Sequence, residues 1–448
     1  MPERFRLIRV AALGAVVGLL GVGAAFILTR MIGLFLNLLW FGRVGFQLVE
    51  PHNSPYAGAW WTVLLPVAGA GIIGLMLRYG SPVISGHGIP EAMEAVMLRQ
   101  SRIQAKVALL KPISAAISIG SGGPYGAEGP VIMTGGALGS LLGQVLPTSP
   151  EERKVLLAAG AAAGMVAIFG TPISAVLLVL ELLVFEFSTR AFVPVAVAAG
   201  VAAALRANFF GESGALFPDV PVVPIHGSQV LWYLLFGVMA GLAAAGMTWL
   251  LYQIEDLYEH LPGLNRYTRP MAGAVVVGLV GLVFPRALGV GYDTIAGLLR
   301  GDMTLGLVAG ILVWKFAAWS ISLGSGTSGG VLAPVLMVGG ALGALVGHLV
   351  QPWSGIPSGL VALVVMGALF GASTRATLAA VLFAAEVTGH YDALVPLLIT
   401  AAVADMVAVR TLPYSLMTGK LIRRGRQVVQ DFTAPLATPV EAQVAHGD

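Results

Sequence analysis

The chain repeats itself. Residues 119–146, IGSGGPYGAEGPVIMTGGALGSLLGQVL, lie over residues 323–350, LGSGTSGGVLAPVLMVGGALGALVGHLV, at a constant offset of 204 with no gap, and fourteen of the 28 positions are identical. In a chain so rich in Gly, Ala, Leu and Val, chance identity is roughly one in ten, so the match stands well above composition. A second pair follows: Gly160 to Gly164 then Ala175-Val176-Leu177 to Glu181 resembles Gly367 to Gly371 then Ala380-Val381-Leu382 to Glu386. The fold must therefore be built twice. The expected units are a first half at 1–210, a linker at 211–228, a second half at 229–420 and a tail at 421–448.

Composition then fixes the solvent. The 448 residues are 57% hydrophobic and 10% charged, where a soluble chain carries about 25% charge. A bilayer-spanning helix needs about 20 apolar residues, and this chain has enough for many. The run from Val10 to Trp40, behind Arg4, Arg6 and Arg9, is too long for the apolar region of a signal peptide and reads as a retained membrane helix. Lys420, Arg423, Arg424 and Arg426 follow the last apolar segment, so the positive-inside rule puts both termini in the cytoplasm of a multi-pass inner-membrane protein. With no Cys, thiol catalysis and a disulfide scaffold are excluded. The net charge of +3 is read as loop anchors, and no nucleic-acid partner is expected.

Fifty-nine Gly and 26 Pro are many for plain spanning helices, because an interior Gly costs about 1 kcal/mol and an interior Pro about 3. In lipid, broken backbone survives only where protein buries it or it lines a cavity, which points to a transporter or channel interior. Two true loops are expected, the breaker-rich Asn208 to Ser228 and the polar Glu255 to Arg269. Both termini on one side require an even number of crossings, which is met if each half crosses an odd number of times and the halves are inverted relative to each other. Helix starts after Gly126 and Gly330 then approach one midplane point from opposite faces. Helix N-termini carry unpaired N–H groups and about half a positive charge each, so converging starts make an anion site without Lys or Arg.

Four segments carry a family likeness: Gly86-His87-Gly88-Ile89-Pro90-Glu91, Gly126-Ala127-Glu128-Gly129-Pro130, Gly330-Val331-Leu332-Ala333-Pro334 and Leu412-Pro413-Tyr414-Ser415. In order and spacing they resemble the signature segments of the CLC family of chloride channels and chloride/proton exchangers, here of prokaryotic type. The likeness covers nearly the whole chain. It implies an all-α polytopic membrane protein of two inverted-topology repeats with broken and re-entrant helices, forming a homodimer that moves chloride and protons across a lipid bilayer with no cofactor and no metal. It implies that Glu128 is the gating carboxylate, which holds the outer anion site and leaves on protonation. Tyr414 is implied as a hydroxyl donor to the central anion. His87, Gly88, Ile89, Gly126, Gly129, Gly330, Val331 and Leu332 are implied to line the anion sites.

Two positions depart from the family. His87 stands where Ser is usual, as either a pore-lining donor or a structural His turned to solvent. Leu182 stands where exchangers carry the inner proton-transfer glutamate. Glu181 is next to it, but one residue is about 100° of helix, so it faces elsewhere unless the helix is adjusted. Its repeat partner Glu386 favours a shared scaffolding role over proton relay. Glu91, in a first helical turn, is expected to cap its helix. Proton-coupled exchange is the expected activity, with a passive anion channel as the alternative. From a different class, Gly326-Thr327-Ser328-Gly329-Gly330 fits the G-x-S-x-G elbow of serine hydrolases, with His348 or His390 as base of an intramembrane protease. No H-E-x-x-H pair and no phosphate-binding loop are present.

Overall fold

Each half opens with a long apolar helix and closes with another that packs back against it. A computed structural model describes residues 6–211, 214–423 and 425; Arg4, Arg424, Arg426 and nearly all of the expected tail lie outside the described residues. In the first half the helices are α1 Leu7–Phe41, α2 Leu64–Tyr79, α3 Ile89–Leu98, α4 Ala105–Gly120, α5 Glu128–Val145, α6 Pro150–Phe169, α7 Pro172–Val179 and α8 Thr189–Phe210. The second half has α9 Val230–His260, α10 Arg269–Val283, α11 Tyr292–Arg300, α12 Leu305–Gly324, α13 Leu332–Ser354, α14 Ser358–Thr374, α15 Thr377–Thr388 and α16 Leu394–Thr411, followed by α17 Gly419–Arg423. Seven helical stretches among the described residues are long and apolar enough to cross a bilayer. Large apolar side chains such as Ile8, Leu75, Leu231, Val283 and Met406 face outward, as lipid contact requires.

The polar stretch from Glu255 is not all loop: α9 continues to His260, and only 261–268 connects it to α10. Charged residues do not stop a helix whose backbone bonds are internal and whose side chains reach water. The glycines also need a second explanation. Gly135, Gly139, Gly160 and Gly164 sit inside unbroken α5 and α6, where a Cβ on any of them would run into the facing helix's backbone; Gly339, Gly343 and Gly347 do the same between α13 and α14. Small residues let membrane helices approach closely. Only part of the glycine excess marks breaks.

The repeat extends beyond the matched motif. Lys111 in α4 and Lys315 in α12, again 204 apart, are both fully buried. Lys111 Nζ donates to the carbonyls of Ile84 (2.8 Å) and Gly86 (2.6 Å), and Lys315 Nζ donates to that of Gly289 (2.8 Å). Each ammonium pins the loop that feeds a short helix, α3 in one half and α11 in the other. A buried charge is tolerated when carbonyl oxygens replace its water, so these lysines fix where α3 and α11 start.

Candidate functional site

The two halves meet backbone to backbone at the repeated motif. Gly126 N–H donates to Gly330 O at 3.4 Å and Gly330 N–H donates to Gly126 O at 3.0 Å. Reciprocal bonding between repeat-related residues requires a local two-fold axis through the pair. Beside it, Gly86 N–H donates to Thr327 O (2.8 Å) and Gly329 N–H to Gly86 O (3.4 Å). The approaches to α3, α5 and α13 are thereby tied together, and three helix starts with their unpaired amides crowd one buried point.

Glu128, the first residue of α5, is wholly buried there. Its carboxylate folds back so far over Gly126 that a Cβ on that residue would overlap it, and a Cβ on Gly330 would lie 3.1 Å from Oε2. Oε1 accepts a hydrogen bond from the Tyr292 hydroxyl at 2.9 Å. The amides of Glu128 itself and of Ala333, the second residue of α13, are also directed at the carboxylate. Oε2 is buried without a hydrogen-bond partner of good geometry. A side-chain anion therefore occupies the place that converging helix starts make favourable for an anion.

Tyr292 is the first residue of α11, held edge-on by Phe169 (6.1 Å between ring centroids) and Phe217 (6.3 Å). Neither it nor Ala333 was picked out by sequence reasoning, which favoured Val331 and Leu332. The signal for Tyr292 was a glycine-flanked helix start, Gly289-Val290-Gly291, that matched no signature segment.

On the other flank, Gly88 takes a left-handed conformation (φ 93°) that only glycine adopts freely, and its N–H donates to Glu91 Oε2 at 3.0 Å. Glu91 is thus the expected cap of α3, and its Oε1 also pairs with Lys420 Nζ at 2.7 Å. His87 is 7% exposed, so it is not turned to solvent, and its Nδ1 has no hydrogen-bond partner. Its carbonyl lies against Gly129, where any Cβ would overlap it. Ile89, Val331 and Leu332 are buried at the starts of α3 and α13.

Tyr414 lies on the segment that closes onto α3 through Lys420. Its ring stands edge-on to Tyr252 at 5.5 Å, and Leu416 N–H donates to Ser373 O at 2.8 Å. Among the described residues, no hydrogen bond joins the Tyr414 hydroxyl to His87 or Glu128.

Glu181 falls in a π-helical turn, Leu180–Val184, that continues α7. The helix is adjusted, and the carboxyl faces the Ala379 amide in the first turn of α15. Glu386, from α15, accepts from Ile173 N–H (2.9 Å) and Ser174 N–H (2.7 Å) in the first turn of α7. Each half thus supplies a carboxylate to the other half's helix start. Among the described residues no hydrogen bond connects Glu181 to Glu128.

The hydrolase arrangement is not assembled. Ser328 is fully buried and its hydroxyl pairs with Ser114 Oγ at 3.0 Å. His348 Nδ1 is engaged by Ala344 O and His390 Nε2 by Pro218 O, so neither nitrogen serves as its base. The G-x-S-x-G string is a helix entry.

Residues 69–409 match the family model described as voltage-gated chloride channel. The chain belongs to that family. It is 33% identical over 357 residues to a protein of Ralstonia nicotianae named as a ClcB-like chloride channel protein, covering 78% of this chain and 83% of that one. It is 30% identical over 343 residues to the H(+)/Cl(-) exchange transporter ClcA of Klebsiella pneumoniae, covering 74% and 72%. Among solved structures, a slow cyanobacterial Cl-/H+ antiporter superposes with a TM-score of 0.80 at 23% identity over 95% of this chain and 99% of that one. A CLC-type fluoride/proton antiporter gives 0.76 at 23% identity, covering 93% and 98%. The fold is the expected all-α one, two inverted-topology repeats with broken and re-entrant helices.

Proposed function

We propose that this membrane transporter exchanges chloride for protons, with Glu128 as both gate and proton carrier. One observation carries the reading: a buried carboxylate sits against the starts of α5 and α13, in the place an anion would take. A carboxylate competes with chloride for those amides only while ionised, so protonation frees the site and chloride drives the proton off. The relatives named as exchangers and the antiporter-like fold agree with this. His87, Gly88, Ile89, Gly126, Gly129, Gly330, Val331, Leu332 and Tyr414 complete the proposed anion pathway, and Ala333 and Tyr292 join it. The protein is proposed to work as a homodimer in the cell inner membrane with both termini in the cytoplasm, and 1–210 and 229–420 are taken as its two halves. Chloride and proton fluxes measured together from proteoliposomes test the activity. Proton movement in a fixed ratio to chloride supports it, and chloride flux with no proton movement under an imposed pH gradient removes it.

The passive channel is the second reading, favoured by Leu182 and by the engagement of Glu181 at α15. If Glu181 caps α15 as Glu386 caps α7, Glu181→Gln and Glu386→Gln should each lower thermal stability by about 1–3 kcal/mol, because a charge-assisted bond is weakened, while coupling stays intact. Loss of proton movement in Glu181→Gln alone, with chloride flux spared, identifies Glu181 as the relay instead. At the other flank, a hydroxyl donor to a buried anion contributes about 1.5–3 kcal/mol. His87→Ser should therefore tighten chloride binding measured by calorimetry roughly tenfold or more. Unchanged binding puts His87 off the pathway.

A further inference from the structure

Away from the anion pathway's glycines, one cluster has the chemistry of a metal site. Glu50 precedes the 3₁₀ turn Pro51–Asn53, His52 lies within it, and Asp293 is the second residue of α11. One donor atom from each lies within 4.8 Å of the others. His52 Nε2 and Asp293 Oδ2 are 3.1 Å apart, close to the edge of a tetrahedral zinc site, where ligand bonds are about 2.0–2.2 Å.

We propose that Glu50, His52 and Asp293 bind a divalent transition-metal ion of the zinc class, and that its binding restrains the gate.

Three observations support the site. The His52 side chain is 7% exposed and its Nδ1 has no partner, so the ring is anchored by packing with Nε2 presented to Asp293. Glu50 Oε1 accepts from Gly291 N–H at 3.0 Å, but Oε2 is buried with no partner. The Asp293 side chain is 42% exposed, which gives an ion a way in. One imidazole and two carboxylates suit zinc, copper or nickel, and a fourth position stays open to water.

The link to the gate is short. Asp293 is bonded in sequence to Tyr292, whose hydroxyl holds Glu128. Glu50 contacts the same helix start through Gly291. An ion that clamps Glu50 to Asp293 fixes the first turn of α11, and Tyr292 with it. Such a clamp opposes any movement of Glu128 that requires Tyr292 to yield.

The test is calorimetric titration of the detergent-solubilised full chain with zinc sulfate, which reads binding whether or not the transport proposal holds. One zinc per chain is expected. Even outer-shell partners are worth roughly 10–100-fold in metal affinity, so His52→Ala and Asp293→Asn should each weaken binding at least about tenfold. Asp293→Asn retains an acceptor for Thr294 N–H, which Asp293 Oδ1 now binds at 2.6 Å, and so preserves the local turn. In proteoliposomes, zinc should slow chloride flux of the unmodified protein and leave the flux of the double variant unchanged. No zinc uptake, or undiminished affinity in both variants, overturns the site. Zinc bound at these residues without slower flux overturns the link to the gate.

Discussion

In proteoliposomes carrying Glu128→Ala, chloride flux should continue with little dependence on pH, while coupled proton movement falls to the leak of empty liposomes. The side chain removed is the competing anion, folded over Gly126 with Tyr292 as its hydroxyl donor. Without it the helix starts remain, so chloride keeps its place, but nothing at that place titrates. Glu128→Gln should act in the same direction, because a neutral amide cannot mimic the carboxylate's charge at the α13 start. Proton movement that persists in Glu128→Ala would remove Glu128 from the mechanism.

The second large effect is expected from one methyl group. In Gly330→Ala the new Cβ would overlap the Gly126 carbonyl oxygen, lie 2.9 Å from its carbon and 3.1 Å from Glu128 Oε2. Backbone cannot rotate out of the way as a side chain does. The reciprocal pair must open, losing two hydrogen bonds of about 0.5–1.5 kcal/mol each and separating the helix starts that make the site. Chloride binding and flux should both be lost, with thermal stability lowered. Gly306→Ala, where no atom lies within 4 Å of the added methyl, is the matched control and should leave all three unchanged. Near-normal flux in Gly330→Ala would mean that the contact between the halves does not shape the site.

Much of this was readable in the sequence because the repeat fixes the architecture: one ungapped offset brings Gly126 to Gly330, and an acidic residue at a helix start beside them is conspicuous in so apolar a chain. What escaped depends on long-range geometry. Tyr292 reaches Glu128 across 164 positions from a helix that matched no signature. Ala333 rather than Val331 faces the carboxylate because the helical frame begins at Leu332, a boundary that sequence patterns locate only within a few residues. The turn at Leu180–Val184 could not be foreseen, since a π-helical insertion leaves no periodicity over five residues. Glu50 and His52 meet Asp293 only through the fold, across 243 and 241 positions, and no local metal pattern announces them.

The carboxylate exchange between α7 and α15 bears on how the protein is made. The amides of Ile173 and Ser174 are bonded by Glu386, more than 200 residues later. Gly126 likewise finds its partner only in Gly330. While the ribosome is still synthesising the linker, the first half is already in the membrane with buried donors that nothing yet satisfies. It must wait in an immature arrangement, and the anion site comes into being only after residue 333 has left the translocon. Cutting the gene within 211–228 should therefore yield fragments that mature only when both are produced in the same cell.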